Sequence, residues 1–174
     1  MKLSSRIKKD GFTLIELLVV IAIIVILSAI VLANYRGGEE QYALQRSVHQ
    51  LAQDIRKAEE MAMASKEFNG DIPQGGYGIY LVENSNSYIL FADLDGEKDY
   101  DSGEEVGSPL ELEKKVKIYN LSPSPPLIIT FTPPDPTIFI SEGGSEAKIT
   151  LCLETDSSKT KIIFVNKTGL IEIK

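Results

Sequence analysis

One carboxylate stands inside the longest apolar stretch of this chain, and its chemistry is that of a buried ion pair. Glu16 is the only ionisable side chain among the 22 residues from Phe12 to Ala33. Within a membrane-spanning helix such a group costs up to about 2.5–3.5 kcal/mol, so a retained one usually has a partner. A cut between Gly11 and Phe12 would create a positive amino group within one helical turn of Glu16. The amino group of a neighbouring copy is the more specific partner, and that pairing would set an assembly register.

A loop rich in carboxylates is the second place where this chain could do chemistry. Oxygen ligands at alternate positions are the kind that calcium prefers. The spacing departs from the EF-hand loop, because glycine stands at the fourth position from Asp93 instead of the sixth. Two interpretations stay open, a calcium site and a solvated hairpin tip whose aspartates set turns, and we favour the second. The carboxylates are Asp93, Asp95, Glu97, Asp99, Asp101, Glu104 and Glu105.

Catalytic chemistry is not indicated in the rest of the chain. His49 is the only histidine and Cys152 the only cysteine, so neither has the partner that a triad, a zinc site or an intrachain disulfide requires. We expect His49 at the surface or rim of a helix and Cys152 as a small buried thiol. No nucleotide-binding fingerprint occurs. The sequence therefore predicts a protein that is not an enzyme and has no catalytic residue, cofactor or metal centre.

The element that positions Glu16 is a helix long enough to cross a membrane. At about 1.5 Å per residue, residues 12–33 cover the roughly 30 Å of a bilayer core. Four basic residues precede this segment, and positive charge stays on the cytoplasmic side. The pattern predicts a single-pass protein of the cytoplasmic membrane with a cytoplasmic N-terminus and residues 34–174 outside the cytoplasm. The basic residues are Lys2, Arg6, Lys8 and Lys9.

The start of this helix carries a specific motif. The residues from Lys9 to Ile24 read KDGFTLIELLVVIAII, and this stretch resembles the class III signal of type IV prepilins and type II secretion pseudopilins. The resemblance implies cleavage after Gly11 by a membrane prepilin peptidase, N-methylation of Phe12 and a role for Glu16 as the intersubunit carboxylate. It also implies other pilin or pseudopilin subunits in a helical filament, and a membrane assembly platform, as partners.

One departure from major pilins concerns the path of the helix. Many of them carry a helix-kinking proline where this chain has Ala33 and Asn34. No kink is therefore expected at that point, although the pair Gly37 and Gly38 just beyond supplies a weak spot.

Two other interpretations of the apolar segment remain open. A signal anchor shares the basic flank and the apolar span, but it requires neither the pair Gly11 and Phe12 nor Glu16. A secretory signal peptide could be cut after Ala33, although its apolar region would exceed the usual length. The first residue of the mature protein separates these cases, because N-methylated Phe12 supports prepilin processing and Asn34 supports a secretory peptide.

Behind the span, the sequence predicts one α+β domain. Apolar residues recur at spacings of three and four from Leu44 to Ala62, which indicates an amphipathic helix that continues the membrane helix. Short segments rich in β-branched and aromatic residues follow, and their short joints predict antiparallel neighbours. The predicted strands are 77–82, 88–92, 116–121, 127–132, 137–140, 148–153, 161–165 and 170–173.

The predicted organisation has four parts. They are a leader at residues 1–11, a transmembrane helix at 12–33, its amphipathic continuation at 34–68 and an extracytoplasmic antiparallel β domain at 69–174. The leader holds four basic residues and one acidic residue, so its removal changes the formal net charge from −7 to −10. Such acidity favours solubility and makes nucleic acid an unlikely partner.

Short motifs of the second half narrow the resemblance. They are a helical segment from Leu51 to Glu59, a Gly-Tyr-Gly-Ile stretch from Gly76 to Ile79, and the turns at 91–96 and 167–170. These motifs are similar to the minor pseudopilin H and fimbrial biogenesis T family, which implies the pilin-like fold, a long N-terminal helix packed on antiparallel β-sheets.

The sequence thus favours a structural subunit of a type II secretion pseudopilus or a type IV pilus. The alternative is a minor pilin that binds extracellular DNA for uptake, as some fimbrial biogenesis T relatives do. The lysines that would contact phosphates in that case are Lys159, Lys161, Lys167 and Lys174.

Overall fold

The computed structural model describes residues 11–133 and 137–174, without the side chains of residues 33–37 and 137. The four basic residues of the leader lie outside the described residues. The chain divides into two compact units, Met1–Glu39 and Glu40–Lys174. We call the second of them the globular unit.

A single helix, α1, runs from Leu14 to Met63 and contains 50 residues. Its first part, Leu14–Leu32, has a mean hydropathy of 3.2 and is long and apolar enough to cross a membrane. None of this segment is buried inside its own chain. The helix continues through Gly37 and Gly38, so the glycine pair does not end it.

The second part of α1 carries the apolar stripe that the sequence predicted. The stripe is buried from Leu44 to Ala62, and Leu51, Ile55 and Ala58 have no exposed surface. Burial of such a stripe is what stabilises an amphipathic helix, because helix propensity alone is marginal in water.

The helix ends at Met63, five residues before the predicted limit of residue 68. The chain leaves the helix at Ser65, which has a positive φ of 45°. There the Lys66 N–H donates to the Met61 carbonyl and the Ser65 N–H to the Ala62 carbonyl, which is the Schellman pattern of a helix C-terminus.

The pair Asn69 and Gly70 lies beyond the end of the helix and has a role of its own. Asn69 and Gly70 both have positive φ and form the tight turn of a small hairpin in which Phe68 pairs with Asp71. An Asn-Gly pair suits that turn, because both central residues must adopt the left-handed conformation.

In the part of the chain that the structure describes, nine strands form two antiparallel sheets. The first sheet has the order β3-β2-β1-β5-β6, and the second has the order β4-β7-β8-β9. A 3-10 turn, Ser141–Gly143, follows β6. The strands are β1 Gly76–Leu81, β2 Ser87–Asp93, β3 Leu110–Glu111, β4 Val116–Ser122, β5 Leu127–Thr132, β6 Thr137–Ile140, β7 Glu146–Leu153, β8 Thr160–Asn166 and β9 Ile171–Ile173.

All eight predicted strands are present, but short joints do not always make sequential strands neighbours. The joints between β3 and β4, between β4 and β5, and between β6 and β7 each move the chain from one sheet to the other. The joint between β4 and β5 contains Pro123, Pro125 and Pro126, and proline lacks the N–H that a ladder needs. Strand β5 pairs instead with β1, where Tyr77 lies opposite Phe131.

One core joins the helix to both sheets. It contains the buried stripe of α1 together with the inward residues of both sheets. Tyr77 and Tyr88 are among the largest fully buried side chains, and each hydroxyl has a partner, the Lys66 carbonyl for Tyr77 and the Asp54 carboxylate for Tyr88. The architecture is the α+β arrangement that the sequence predicted, with a long N-terminal helix and antiparallel sheets.

Candidate functional site

Glu16 lies in the first turn of α1, where it caps the helix together with Thr13. The Thr13 backbone N–H and hydroxyl donate to Glu16 Oε2 at 2.8 and 2.7 Å. In return the Glu16 N–H donates to Thr13 Oγ1 at 3.3 Å. This is a capping box, in which a threonine and a glutamate three residues later satisfy each other's free N–H groups.

The capping box leaves half of the carboxylate available. Both bonds from Thr13 end on Oε2, and among the described residues Glu16 Oε1 accepts no hydrogen bond. The helix surface around it is apolar, because Phe12, Ile15 and Val19 are all exposed. An acceptor in such surroundings can bind a cationic donor of another chain strongly, since little water competes with it.

The predicted cleavage site precedes the helix. Gly11 and Phe12 are exposed and lie before the first helical residue, Leu14, and Phe12 has 92% of its surface accessible. A peptide bond outside regular structure can enter a peptidase without unwinding a helix first.

The acidic loop closes on itself through its two buried carboxylates. Asp93 accepts the backbone N–H groups of Gly96 and Lys98 at 2.7 and 2.9 Å. Glu104 accepts those of Leu94 and Asp101 at 2.8 and 3.1 Å. All four oxygens therefore hold loop backbone, which is how a buried carboxylate offsets its own desolvation.

The same loop covers the outer face of the first sheet. The ring of Tyr100 lies 4.9 Å from the ring of Tyr80 and 5.8 Å from that of Phe91, and Phe91 is fully buried. Lys98 places its Nζ 5.6 Å from the centre of the Phe139 ring. The aspartates therefore set turns, as the favoured interpretation predicted, and most of the loop's carboxylates are exposed, while Tyr100 packs the middle of the loop against the sheet.

Three carboxylates of the loop come close enough to hold a cation. One oxygen each from Asp93, Asp95 and Glu104 lies within 4.8 Å of the others. Glu104 is the twelfth residue counted from Asp93, which is the position at which the EF-hand loop has its bidentate glutamate. Calcium would have to displace the N–H groups that Asp93 and Glu104 already accept. The calcium interpretation predicts heat and a thermal shift on titration of the globular unit, and a self-satisfied loop predicts neither.

Comparison with known proteins agrees with this architecture. Residues 6–32 match the family model described as the prokaryotic N-terminal methylation motif. The fold is similar to a crystal structure of the type IV minor pilin FimU of Pseudomonas aeruginosa strain PAO1, with a TM-score of 0.51, 12% sequence identity and coverage of 78% of this chain and 90% of FimU. The chain therefore carries the N-terminal methylation motif and has a pilin-like fold.

Two further comparisons complete this result. A second crystal form of FimU aligns with a TM-score of 0.49 and 12% identity, over 75% of this chain and 92% of FimU. No curated protein matches the pilin-like sequence.

His49 and Cys152 lie in different environments. His49 is exposed on α1 and lines a shallow groove with Tyr42, Arg46 and Glu113, as its position in the pattern predicted. Cys152 is fully buried, and burial raises the pKa of its thiol.

The four lysines considered for DNA contact lie in different places. Lys159 pairs with Asp156 at 3.8 Å and lines a groove beside α1 together with Lys161. Lys174 pairs with a glutamate of β9 at 3.1 Å, and Lys167 lies in the turn between β8 and β9. Two of the four lysines, Lys159 and Lys174, are therefore paired with carboxylates, which weakens their attraction for phosphate groups.

Proposed function

We propose that this chain is processed as a prepilin and assembles into a helical filament. A prepilin peptidase cuts after Gly11, and Phe12 becomes the N-methylated first residue. The apolar segment at residues 12–33 holds the subunit in the cytoplasmic membrane, with the leader in the cytoplasm and residues 34–174 outside it. The methylation motif and the exposed peptide bond before the helix support this step.

In the filament, the apolar helices leave the lipid and pack against one another. Glu16 of one subunit faces the amino group of Phe12 in its neighbour. The free Oε1 of Glu16 is the observation that carries this proposal, because the capping box satisfies the helix through Oε2 and keeps a second acceptor for the partner. The ion pair would offset the cost of holding both charges in an apolar filament core.

The filament that we propose is a type II secretion pseudopilus or a type IV pilus. Both are built by extracting subunits from the membrane through an assembly platform, so the chemistry at Glu16 and Phe12 serves either one. The role is structural, with partners that are protein subunits. The similarity to the minor pilin fold supports it.

Three substitutions separate the charge of Glu16 from its capping role. Glu16→Gln keeps a capping acceptor but removes the charge, since glutamine also serves in a capping box. Thr13→Ala removes the cap, at about 1 kcal/mol, and keeps the carboxylate. Glu16→Ala removes both the charge and the capping acceptor. The measurements are membrane insertion of each variant, the fraction recovered in sheared filaments, and the N-terminal residue by mass spectrometry.

We expect all three variants to insert into the membrane and to be cut before Phe12. Glu16→Gln and Glu16→Ala should both lose filament incorporation, while Thr13→Ala should retain most of it. If Glu16→Gln assembles as the unmodified chain does, the ion pair is wrong and Glu16 acts only as a cap. An uncut leader in cells that contain the peptidase would refute the processing step.

A further inference from the structure

Glu16 lies in a groove on α1 whose other side chains are hydrocarbon. This Glu16 groove is lined by Phe12, Ile15, Glu16, Val19 and Val20. Ile15 and Val19 are four positions apart, as are Glu16 and Val20, so the groove follows one face of the helix. Val19, the least exposed of its apolar side chains, still has 48% of its surface accessible. The groove is therefore open to another molecule.

The side chains of the Glu16 groove offer a single oxygen to an incoming donor. Glu16 Oε2 already accepts the backbone N–H and the hydroxyl of Thr13, at 2.8 and 2.7 Å. Because a carboxylate oxygen has about two lone-pair sites, Oε2 is fully used and Oε1 is the oxygen that remains. A donor that binds here forms one strong hydrogen bond and otherwise faces apolar side chains.

The chemical form of an amino terminus determines how well it suits such a site. A primary ammonium carries three N–H groups, whereas an N-methylated ammonium keeps the positive charge and carries two N–H groups and a methyl group. After one N–H has bonded to a single oxygen, two remain without an acceptor in the primary form and one in the methylated form. A donor left unpaired in apolar surroundings is costly, and a buried methyl group is favourable. The methylated form therefore binds more tightly.

We propose that the Glu16 groove of one subunit selects the N-methylated amino terminus of Phe12 in the next copy over the unmethylated one. The inference rests on the proposed function and specifies the chemical form of the partner at the same carboxylate. The match of residues 6–32 to the N-terminal methylation motif supports it independently of the groove. In the contact, one N–H of Phe12 donates to Glu16 Oε1, and the methyl group packs against Ile15 and Val19.

Such selection makes methylation a step that sorts subunits before assembly. Leader cleavage supplies the positive charge, and methylation reduces the number of donors toward what the groove can accept. An unmethylated subunit still pairs with Glu16, because its amino group is charged, but it enters filaments less often. The two forms should therefore occur in different proportions in the membrane and in the filament.

The test follows both forms of the full chain in one population of cells. The cells contain the normal peptidase together with a peptidase variant that cuts the leader but does not transfer the methyl group, so both forms of Phe12 share one membrane. Mass spectrometry of the N-terminal peptide gives the ratio of methylated to unmethylated chain in the membrane fraction and in sheared filaments. We expect this ratio to be about tenfold higher in the filaments.

A matched pair of variants shows whether the groove is responsible. Ile15→Thr with Val19→Thr adds hydroxyl acceptors to the groove, so that each N–H of a primary ammonium can find a partner. Ile21→Thr with Val25→Thr makes the same change on the opposite face of α1 and is the control. We expect the methylated form to stay about tenfold enriched in filaments of the control, and the enrichment to fall below about twofold in the groove variant.

Equal proportions of the two forms in the membrane and in filaments of the unmodified chain would overturn the inference, whatever the variants do. The same enrichment in the groove variant and in the control would also overturn it, because a difference in age between the two pools affects both variants alike. In either case, filaments built from cut subunits leave the proposed function standing. The proposed function itself fails if the unmodified chain never enters filaments.

Discussion

Glu16 and Asp93 are both carboxylates in apolar surroundings, and the chain stabilises them in different ways. Glu16 relies on Thr13, three residues away, so its environment is local. Asp93 has no exposed surface and depends on the backbone of a folded loop. The first arrangement survives in an isolated helix, whereas the second exists only when the globular unit is folded.

The buried position of Asp93 predicts a specific dependence of stability on pH. Burial raises the pKa of the Asp93 carboxyl, the charge of Glu104 raises it further, and the N–H groups of Gly96 and Lys98 offset part of the effect. A pKa that is higher in the folded state means that protonated Asp93 favours folding. This contribution is complete below the ordinary aspartate pKa of about 3.9 and is lost as the pH rises through the raised value.

We therefore expect the free energy of unfolding of the unmodified globular unit to fall relative to that of Asp93→Asn over this pH range. Urea unfolding of residues 40–174 at a series of pH values measures the difference. Asp99→Asn, at an exposed position of the same loop, is the control and should leave the pH profile unchanged. Parallel profiles for the unmodified protein and Asp93→Asn would contradict the raised pKa.

Gly78 shows how closely the strands of the first sheet pack. A Cβ at this position would lie 2.5 Å from Cζ of Phe91 and 2.8 Å from the carbonyl oxygen of Ile129. The carbonyl belongs to the sheet backbone and cannot move aside without breaking a ladder. We expect Gly78→Ala to lower the free energy of unfolding by about 1–3 kcal/mol.

Denaturant unfolding of the globular unit checks this prediction. Ser102→Ala, at an exposed position of the covering loop, should change the free energy of unfolding by no more than about 0.5 kcal/mol. Equal stability of Gly78→Ala and Ser102→Ala would mean that the first sheet is less tightly packed around Gly78 than the distances indicate.

At the scale of elements, α1 has two environments along one continuous helix. From Leu14 to Leu32 its side chains are exposed and apolar, which suits lipid or other helices. From Leu44 to Ala62 one stripe is buried in the core of the globular unit and the opposite face is polar. The apolar side chains of Leu14–Leu32 are therefore not covered by the rest of the described chain, whereas those of the stripe from Leu44 to Ala62 are covered by the sheets.

The buried stripe of α1 should dominate the stability of the globular unit. Leu51 has no exposed surface and lies in the core shared by both sheets. Truncation there removes apolar contacts and leaves a cavity, so we expect Leu51→Ala to cost about 2–5 kcal/mol of unfolding free energy. Chemical denaturation compares it with Gln53→Ala, at an exposed position of the same helix, which should be nearly neutral. A small loss for Leu51→Ala would mean that the helix is held elsewhere.

At the scale of the whole molecule, the only thiol is buried outside the core that the helix and the two sheets share. Cys152 has no exposed surface although it lies on the outward side of β7, where it faces Lys117 on β4. Burial raises the pKa of this thiol, so the reactive thiolate is scarce in the folded protein.

We expect a thiol reagent to label Cys152 only as the globular unit opens. The labelling rate should rise with denaturant in parallel with global unfolding, because β7 is a central strand of its sheet. The control is Ser157→Cys in a Cys152→Ser background, which places the thiol at an exposed position and should react at the rate of a free thiol. Rapid labelling of Cys152 without denaturant would show that β7 opens locally.

The amino-acid sequence alone determined the features that depend on neighbouring residues. The N-terminal motif, the apolar span, the stripe on α1 and eight of the strands all follow from residue types at short spacings. The capping box of Thr13 and Glu16 belongs to this class, since its bonds join residues three positions apart. Strand β3, with two residues, is too short to have a pattern and was not predicted.

Only the tertiary structure decided how these elements meet. The division into two sheets, the pairing of β1 with β5 and the closure of the acidic loop over the first sheet all join residues far apart in the chain, such as Tyr77 with Phe131. Local patterns do not encode such partners, because any strand with a suitable face can pair with several others. The choice depends on which arrangement buries the most apolar surface at once, and that is a property of the whole fold.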